Sequence, residues 1–317
     1  MRSVLLSTFV ALAINAAAQL QLTEAQVPVI TLRGQSNMVG RATPRLTNPL
    51  DTPMVNPAPE GVWVYWKGPT ASLADQTADN GQWQPLVLGT NNGLTGAPGL
   101  PDYMGIEMTL GATLHHYFGK PVYIIKCAFS GTGVSSTLPG QNPPGNWNPT
   151  NRQIFVENYV RQAIEDLAKD HPEMDPVWVG DVWWGGESDA QYNVSKATFK
   201  TQFNAMMNYT QPLLEGIFGH PEPPLQIVNL FYWNNTREAT IRAAFSELVA
   251  EHAAQNWVLL ESNIYTRGGQ LTPAQAWPIP RGNPINSTGA VDDAHMSHLG
   301  MKPLGRLAAW NVIYWPY

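Results

Sequence analysis

The sequence contains a single cysteine, Cys127, so no intramolecular disulfide can staple the chain. Stability has to come from one sizeable hydrophobic core, which a chain of 317 residues is long enough to bury. Charge is also scarce: 13% of residues are charged, the net charge is −6, and no run of Lys or Arg occurs anywhere. That leaves no basic face for nucleic acid or for an anionic membrane. Beyond the N-terminal segment no stretch approaches the roughly 20 apolar residues of a membrane-spanning helix. No fixed-period repeat and no low-complexity linker divides the chain, which predicts a single domain over residues 19–317.

The N-terminal segment Met1–Ala18 has a lone early Arg2, an apolar stretch from Val4 to Ile14, and small residues Ala16-Ala17-Ala18 before Gln19. This is the pattern of a secretory signal peptide, too short to cross a hydrocarbon core of about 30 Å. It predicts a secreted, extracellular protein. The sequons Asn193-Val194-Ser195, Asn208-Tyr209-Thr210, Asn234-Asn235-Thr236 and Asn286-Ser287-Thr288 fit a glycoprotein whose sequon loops face solvent, while Asn148-Pro149-Thr150 is excluded by its proline. Aromatics are plentiful, with 12 Trp and 11 Tyr. Most belong in a core. Exposed aromatic faces can also stack on sugar rings, which makes carbohydrate the first partner to test.

Apolar runs and helical periodicities alternate along the chain. Strands are predicted at Val29–Leu32, Val62–Trp66, Val122–Cys127, Val177–Trp184, Leu225–Phe231 and Trp257–Glu261, and helices at Glu107–Phe118, Gln153–Lys169, Lys196–Phe218, Arg237–Ala254 and Ser297–Val312. The alternation predicts an α/β fold, a parallel sheet covered on both faces by helices and built from right-handed βαβ units. Two long irregular stretches, Arg41 to Gly105 and Gly133 to Asn151, are rich in Pro, Gly and Asn. Such loops at the carboxyl ends of strands shape ligand sites. Trp63, Trp66 and Trp83 are therefore candidates for a cleft wall, with plain surface elaboration the competing reading.

Four stretches carry chemistry. In Thr31-Leu32-Arg33-Gly34-Gln35-Ser36-Asn37-Met38-Val39-Gly40, a β-branched strand breaks at a glycine and presents Ser36 where strand becomes helix. Ser36 there is either an ordinary N-cap or a nucleophile whose neighbouring N–H groups stabilise developing negative charge. Near the C-terminus, Asp292 and His295 are three residues apart, a spacing that lets the carboxylate orient the imidazole and leaves its other nitrogen free for a serine. His298 is a second candidate base, one helical turn on. Asp292, Asp293, His295 and His298 could also ligate a metal, but no HExxH-type helix or second Cys/His cluster completes such a site. Lys126-Cys127-Ala128-Phe129-Ser130-Gly131-Thr132-Gly133 follows a strand and offers the Gly131 N–H to an oxyanion. A phosphate loop is excluded because no Gly-Lys-Ser/Thr follows. In Trp184-Gly185-Gly186-Glu187-Ser188-Asp189, Glu187 at a strand end either orients His295 in place of Asp292 or holds the loops together.

Together, Gly34-Gln35-Ser36-Asn37-Met38, the stretch around Gly131, Gly186-Glu187-Ser188-Asp189 and Asp292-x-x-His295 resemble the conserved blocks of SGNH-type hydrolases. The nearest branch is the sialate O-acetylesterase-like and acetyl xylan esterase group of carbohydrate esterases, and the resemblance runs from about Val29 to Gly305. It implies a three-layer α/β/α sandwich with a central parallel sheet, flavodoxin-like, and a serine esterase that releases acetyl groups from sugars. Ser36 would be the nucleophile, His295 general base and then acid, and Asp292 its orienting partner. The N–H groups of Ser36 and Gly131 would line the oxyanion hole, with Gln35, Asn37 and Glu187 in support. No metal or organic cofactor is implied, and the partner is an acetylated carbohydrate.

One departure stands out. The family pattern reads His-Gln-Gly-Glu in the third block, where this chain has Trp184-Gly185-Gly186-Glu187. If the family glutamine binds the oxyanion, a donor is missing, and losing one such donor costs on the order of 100- to 1000-fold in rate. A catalytically weakened carbohydrate-binding relative is thus the second reading, and an esterase of small or lipid esters the third. The α/β-hydrolase elbow GxSxG does not fit, because Met38 holds its second glycine position.

Overall fold

The computed structural model describes residues 20–40, 61–66, 81–86, 105–138, 145–230, 236–262, 265–266, 269–270 and 298–314. Its centre is a seven-stranded sheet in the order β3-β2-β4-β1-β5-β6-β7. The strands are β1 (Gln26–Gly34), β2 (Val62–Trp66), β3 (Gln82–Pro85), β4 (Val122–Ala128), β5 (Asp175–Trp184), β6 (Leu225–Val228) and β7 (Val258–Leu260). All neighbours pair in parallel except β2 and β3, which are antiparallel. The expected parallel sheet therefore gains one antiparallel edge strand.

β1 sits between β4 and β5 and is buried from Val27 to Gly34. Its side chains alternate between two cores, as the pleat requires. Val27 and Val29 face a cluster with Phe155, Val160, Phe199, Phe203, Met206 and Phe245. These come from the helical run that begins with α3 (Arg152–Ile154) and ends in α4 (Gln162–Asp170), from α6 (Lys196–Phe218) and from α7 (Thr236–Glu251). Ile30 and Leu32 face the opposite cluster with Met108, Leu110, Leu114, Met301, Leu304 and Val312, from α2 (Glu107–Phe118) and α8 (His298–Ile313). Helices on both faces make the fold a three-layer α/β/α sandwich, as expected.

The same alternation explains the polar residues inside. Arg33 shares the Val29 face, where it pairs with Asp181 of β5, donates to Thr210 of α6 and lies 5.0 Å from the Phe155 ring centroid. Thr31 donates to the other Asp181 oxygen at 2.8 Å. Taking two charges out of water is offset only where further hydrogen bonds satisfy them; Thr31 and Thr210 supply two such bonds, while Arg33 Nε has no partner among the described residues. On the other face, Lys126 of β4 pairs with Glu107 at 2.9 Å, both side chains fully buried. Cys127 is buried among the first cluster, and burial pushes its thiol well above the ordinary pKa.

Trp63, Trp66 and Trp83 do not form a cleft wall. Trp63 and Trp83 pack against the first core, and Trp66 is 3% exposed within the second. Trp83 meets the Tyr65 and Tyr123 rings edge-on and donates its Nε1–H to Ala163 O at 2.9 Å. Indoles with this much apolar area stabilise more inside a core than on a loop. One sequon also departs from expectation. Asn208 and Tyr209 lie within α6, and Thr210 is fully buried against Arg33, so this sequon is not on a solvent-facing loop. Asn193 is exposed just ahead of α6. Residues 1–18 and the sequons at Asn234 and Asn286 lie outside the described residues.

Candidate active site

Register brings three of the four motifs to one edge. Gly34 at the end of β1 pairs with Ala128 of β4 on one side and Trp184 of β5 on the other. The residues that follow each strand therefore emerge side by side at the carboxyl ends, where open α/β sheets place their ligands. Gly34 is needed there. Its φ is +151°, and a Cβ would lie 1.9 Å from Trp184 O. Without that atom the chain turns close against β5, and the Gln35 N–H donates to Trp184 O at 2.9 Å.

Ser36 opens the four-residue helix α1 (Ser36–Val39). Gln35, not Ser36, holds the N-cap position, and no side chain caps the helix. The N-cap reading of Ser36 therefore falls. Ser36 is partly exposed between buried Gln35 and Asn37. At the other end of α1, Lys126 Nζ donates to Val39 O at 2.8 Å while holding its ion pair with Glu107. Neither Lys126 nor Glu107 was singled out for this role from the sequence; a lone lysine inside the apolar run Val122–Ala128 was the available signal.

The Gly131 stretch leaves the end of β4. Phe129 N–H donates to Gly34 O at 3.1 Å, and Gly131 adopts φ +72°, a turn that suits glycine. Ser130 and Gly131 are partly exposed like Ser36, and beyond them the loop is anchored. Asp189, fully buried, accepts the N–H groups of Val134 and Ser135 at 2.8 and 3.0 Å. Burial pushes its carboxyl up to about 6, against the opposing pull of those two bonds. Asp189 is thus a loop-holding residue that motif reading noticed only as part of a block.

Glu187 starts α5 (Glu187–Gln191) after β5. Its Oε1 accepts from Asn37 Nδ2 at 2.7 Å, tying the third motif to the residue after Ser36. Its Oε2 is buried with no hydrogen-bond partner among the described residues. Burial pushes this carboxyl up to about 7; the Asn37 bond opposes the shift, and the charges of Asp189 and Glu238 add to it. Gln35 also reaches this turn, its Oε1 accepting from Gly186 N and Ser188 N at 3.3 and 3.4 Å.

Ser36, Gly131, Gln35, Asn37 and Glu187 are therefore gathered at one edge. Asp292, Asp293 and His295 lie outside the described residues. His298 begins α8, whose first turns pack on the start of α2: Thr109 Oγ1 donates to Lys302 O at 2.9 Å. Among the described residues no group of three or more His, Cys, Asp or Glu side chains gathers as a metal site.

The sheet order, with three of the motifs at its carboxyl edge, defines a three-layer α/β/α scaffold whose candidate site lies at the ends of adjacent parallel strands. Solved structures share it. NanS superposes with a TM-score of 0.63 at 14% identity, over 92% of this chain and 98% of that one. A protein from Arabidopsis thaliana superposes with a TM-score of 0.54 at 15% identity, over 90% and 97%. A carbohydrate acetylesterase from Xanthomonas citri gives 0.47 at 14% identity, over 91% of this chain and 56% of that one. At such identity the first two likenesses show a shared fold. No protein-family model and no curated protein sequence matches the chain.

Proposed function

We propose that the chain is a secreted serine esterase that removes O-acetyl groups from carbohydrate through an acetyl-enzyme intermediate. The observation that carries this is the convergence of Ser36, Gly131 and Glu187 at the ends of three adjacent strands, with Ser36 free of a capping role. The fold shared with NanS and the motif resemblance support it. The apolar N-terminal segment motivates secretion.

In this mechanism Ser36 Oγ attacks the acetyl carbonyl carbon as His295 takes its proton. The negative charge then forming on the carbonyl oxygen is met by the N–H groups of Ser36 and Gly131. Collapse expels the sugar hydroxyl, which receives its proton from His295. Water, activated by the same histidine, then hydrolyses the acetyl-Ser36 ester and releases acetate. Asp292 orients His295, and Glu187 braces Asn37 beside the nucleophile. The test is Ser36→Ala assayed on acetylated xylan, an O-acetylated sialic acid and nitrophenyl esters of increasing chain length. Loss of turnover with an unchanged circular dichroism spectrum is expected. Full activity in the variant overturns the mechanism, and preference for long-chain esters overturns the substrate class. Gly185 favours a second reading, a sugar-binding relative of weakened catalysis; sugar binding without turnover by the unmodified protein would select it.

A further inference from the structure

We propose that the side-chain amide of Gln35 donates to the oxyanion, supplying from the nucleophile's own turn the contact that a glutamine at position 185 would otherwise provide. This rests on Ser36 being the nucleophile. Gln35 immediately precedes Ser36, and its side chain is 3% exposed. Both hydrogen bonds at its Oε1 come from backbone N–H groups, Gly186 N at 3.3 Å and Ser188 N at 3.4 Å. An N–H can bond only to the amide oxygen, so the partners fix which end is which. Nε2 is left with two hydrogens, donates to no described residue, and is not among the polar atoms sealed from solvent.

The position relative to Gly185 is the second support. Gly185 has no side chain, and a Cβ built there would sit 3.4 Å from Gln35 Cγ and 3.5 Å from Gln35 N. The Gln35 side chain thus lies against the space that a residue-185 side chain would enter. On the neighbouring motifs, Asn37 Nδ2 donates to Glu187, and Val134 N and Ser135 N donate to Asp189. An almost buried amide with idle hydrogens is uncommon in native proteins, and a developing alkoxide beside Ser36 is a strong acceptor for them. The oxyanion would then meet three donors: Ser36 N, Gly131 N and Gln35 Nε2.

Gln35→Ala, the double variant Gln35→Ala/Gly185→Gln and Ser36→Ala are assayed on nitrophenyl acetate, with thermal unfolding of each. Gln35→Ala is expected to lower kcat on the order of 100-fold or more with KM and the pH profile little changed. Adding Gly185→Gln, whose Cβ in Gln35→Ala no longer meets Gln35 Cγ and has Trp183 Cζ2 as its nearest neighbour at 3.0 Å, is expected to recover about tenfold of that loss. If Gln35 merely ties the turn after β5, Gly185→Gln recovers nothing and the loss follows a lowered Tm; that result overturns the proposal. So does a kcat within about threefold of the unmodified protein in Gln35→Ala. Activity surviving in Ser36→Ala instead removes the nucleophile reading beneath it.

Discussion

Replacing Glu187 by Gln separates the charge of this carboxyl from its shape. The variant keeps a carbonyl oxygen for Asn37 Nδ2, so the bond at 2.7 Å can persist, and it removes only the ionisation. In the folded protein Glu187 holds its proton up to about pH 7, against an ordinary value of 4.5. Between those values the folded state binds more protons than the unfolded chain, so stability falls as pH rises. The contribution is present in full below pH 4.5 and lost as pH climbs through 7. At about 1.4 kcal/mol per pKa unit the whole span is worth about 3 kcal/mol, of which about 2 kcal/mol falls between pH 5 and pH 8. Glu187 is 7% exposed, so solvent screens little of this. Urea unfolding of both proteins at the two pH values reads the difference directly. Glu187→Gln should gain about 2 kcal/mol relative to the unmodified protein on going from pH 5 to pH 8, about 4–8 °C in Tm. Groups such as Asp189 titrate in both proteins and largely cancel. A stability difference that is the same at both pH values refutes the reasoning. The same variant also divides the acid roles: activity within about tenfold leaves Asp292 as the partner of His295, whereas a loss on the order of 10,000-fold gives that role to Glu187.

Lys126→Met leaves the fully buried Glu107 without its cation and Val39 O without its donor, and should cost about 3 kcal/mol or more in chemical unfolding; a loss under about 1 kcal/mol would show the pair to be dispensable. Gly34→Ala forces a methyl to within 1.9 Å of Trp184 O, so β1 and β5 must part. It should destabilise by more than about 2 kcal/mol and abolish turnover, while the unmodified melting temperature would refute the close approach. Esterase activity should decline below about pH 6.5 as His295 protonates. Asp189, pushed up to about 6, loses its hold on Val134 and Ser135 over much of the same interval. A rate constant from pH 5 to pH 8 would count against both groups.

The sequence was most readable where local period and tertiary burial agree. α2 and α6 run over Glu107–Phe118 and Lys196–Phe218 as the spacing predicts, and α6 begins at a Ser195 cap that accepts from Thr198 N at 3.1 Å. β1 was legible as a β-branched run ending at glycine, though it extends to Gln26 because β5 continues its ladder there, and to Gly34 because both β4 and β5 do. β3 was not legible. Gln82-Trp83-Gln84-Pro85 contains no β-branched residue and is a strand only because β2 offers an edge. The tryptophans misled in another way: the strand Val62–Trp66 was legible, but the Pro- and Gly-rich stretch around it suggested a cleft wall, whereas Trp63 and Trp66 pack into the two cores. At the site, glycines flagged three strand ends, since abrupt turns there demand them. What composition could not show was which buried charges brace those turns. Lys126, Glu107 and Asp189 act through partners far away in sequence, and no local pattern encodes such pairs.

Cys127 offers a practical consequence. It is the chain's single thiol, lies without exposure on β4, next to the central strand β1, and is held well above the pKa of a free cysteine by burial. Alkylating reagents attack the thiolate, so the folded protein is chemically silent toward them. A cysteine introduced at the exposed Trp310 of the last helix, or at Tyr314 just beyond its end, would then be the one reactive handle. A spectroscopic probe or a surface tether could be attached there with the native sequence otherwise intact. Conversely, the moment at which Cys127 begins to react reports the opening of the sheet itself.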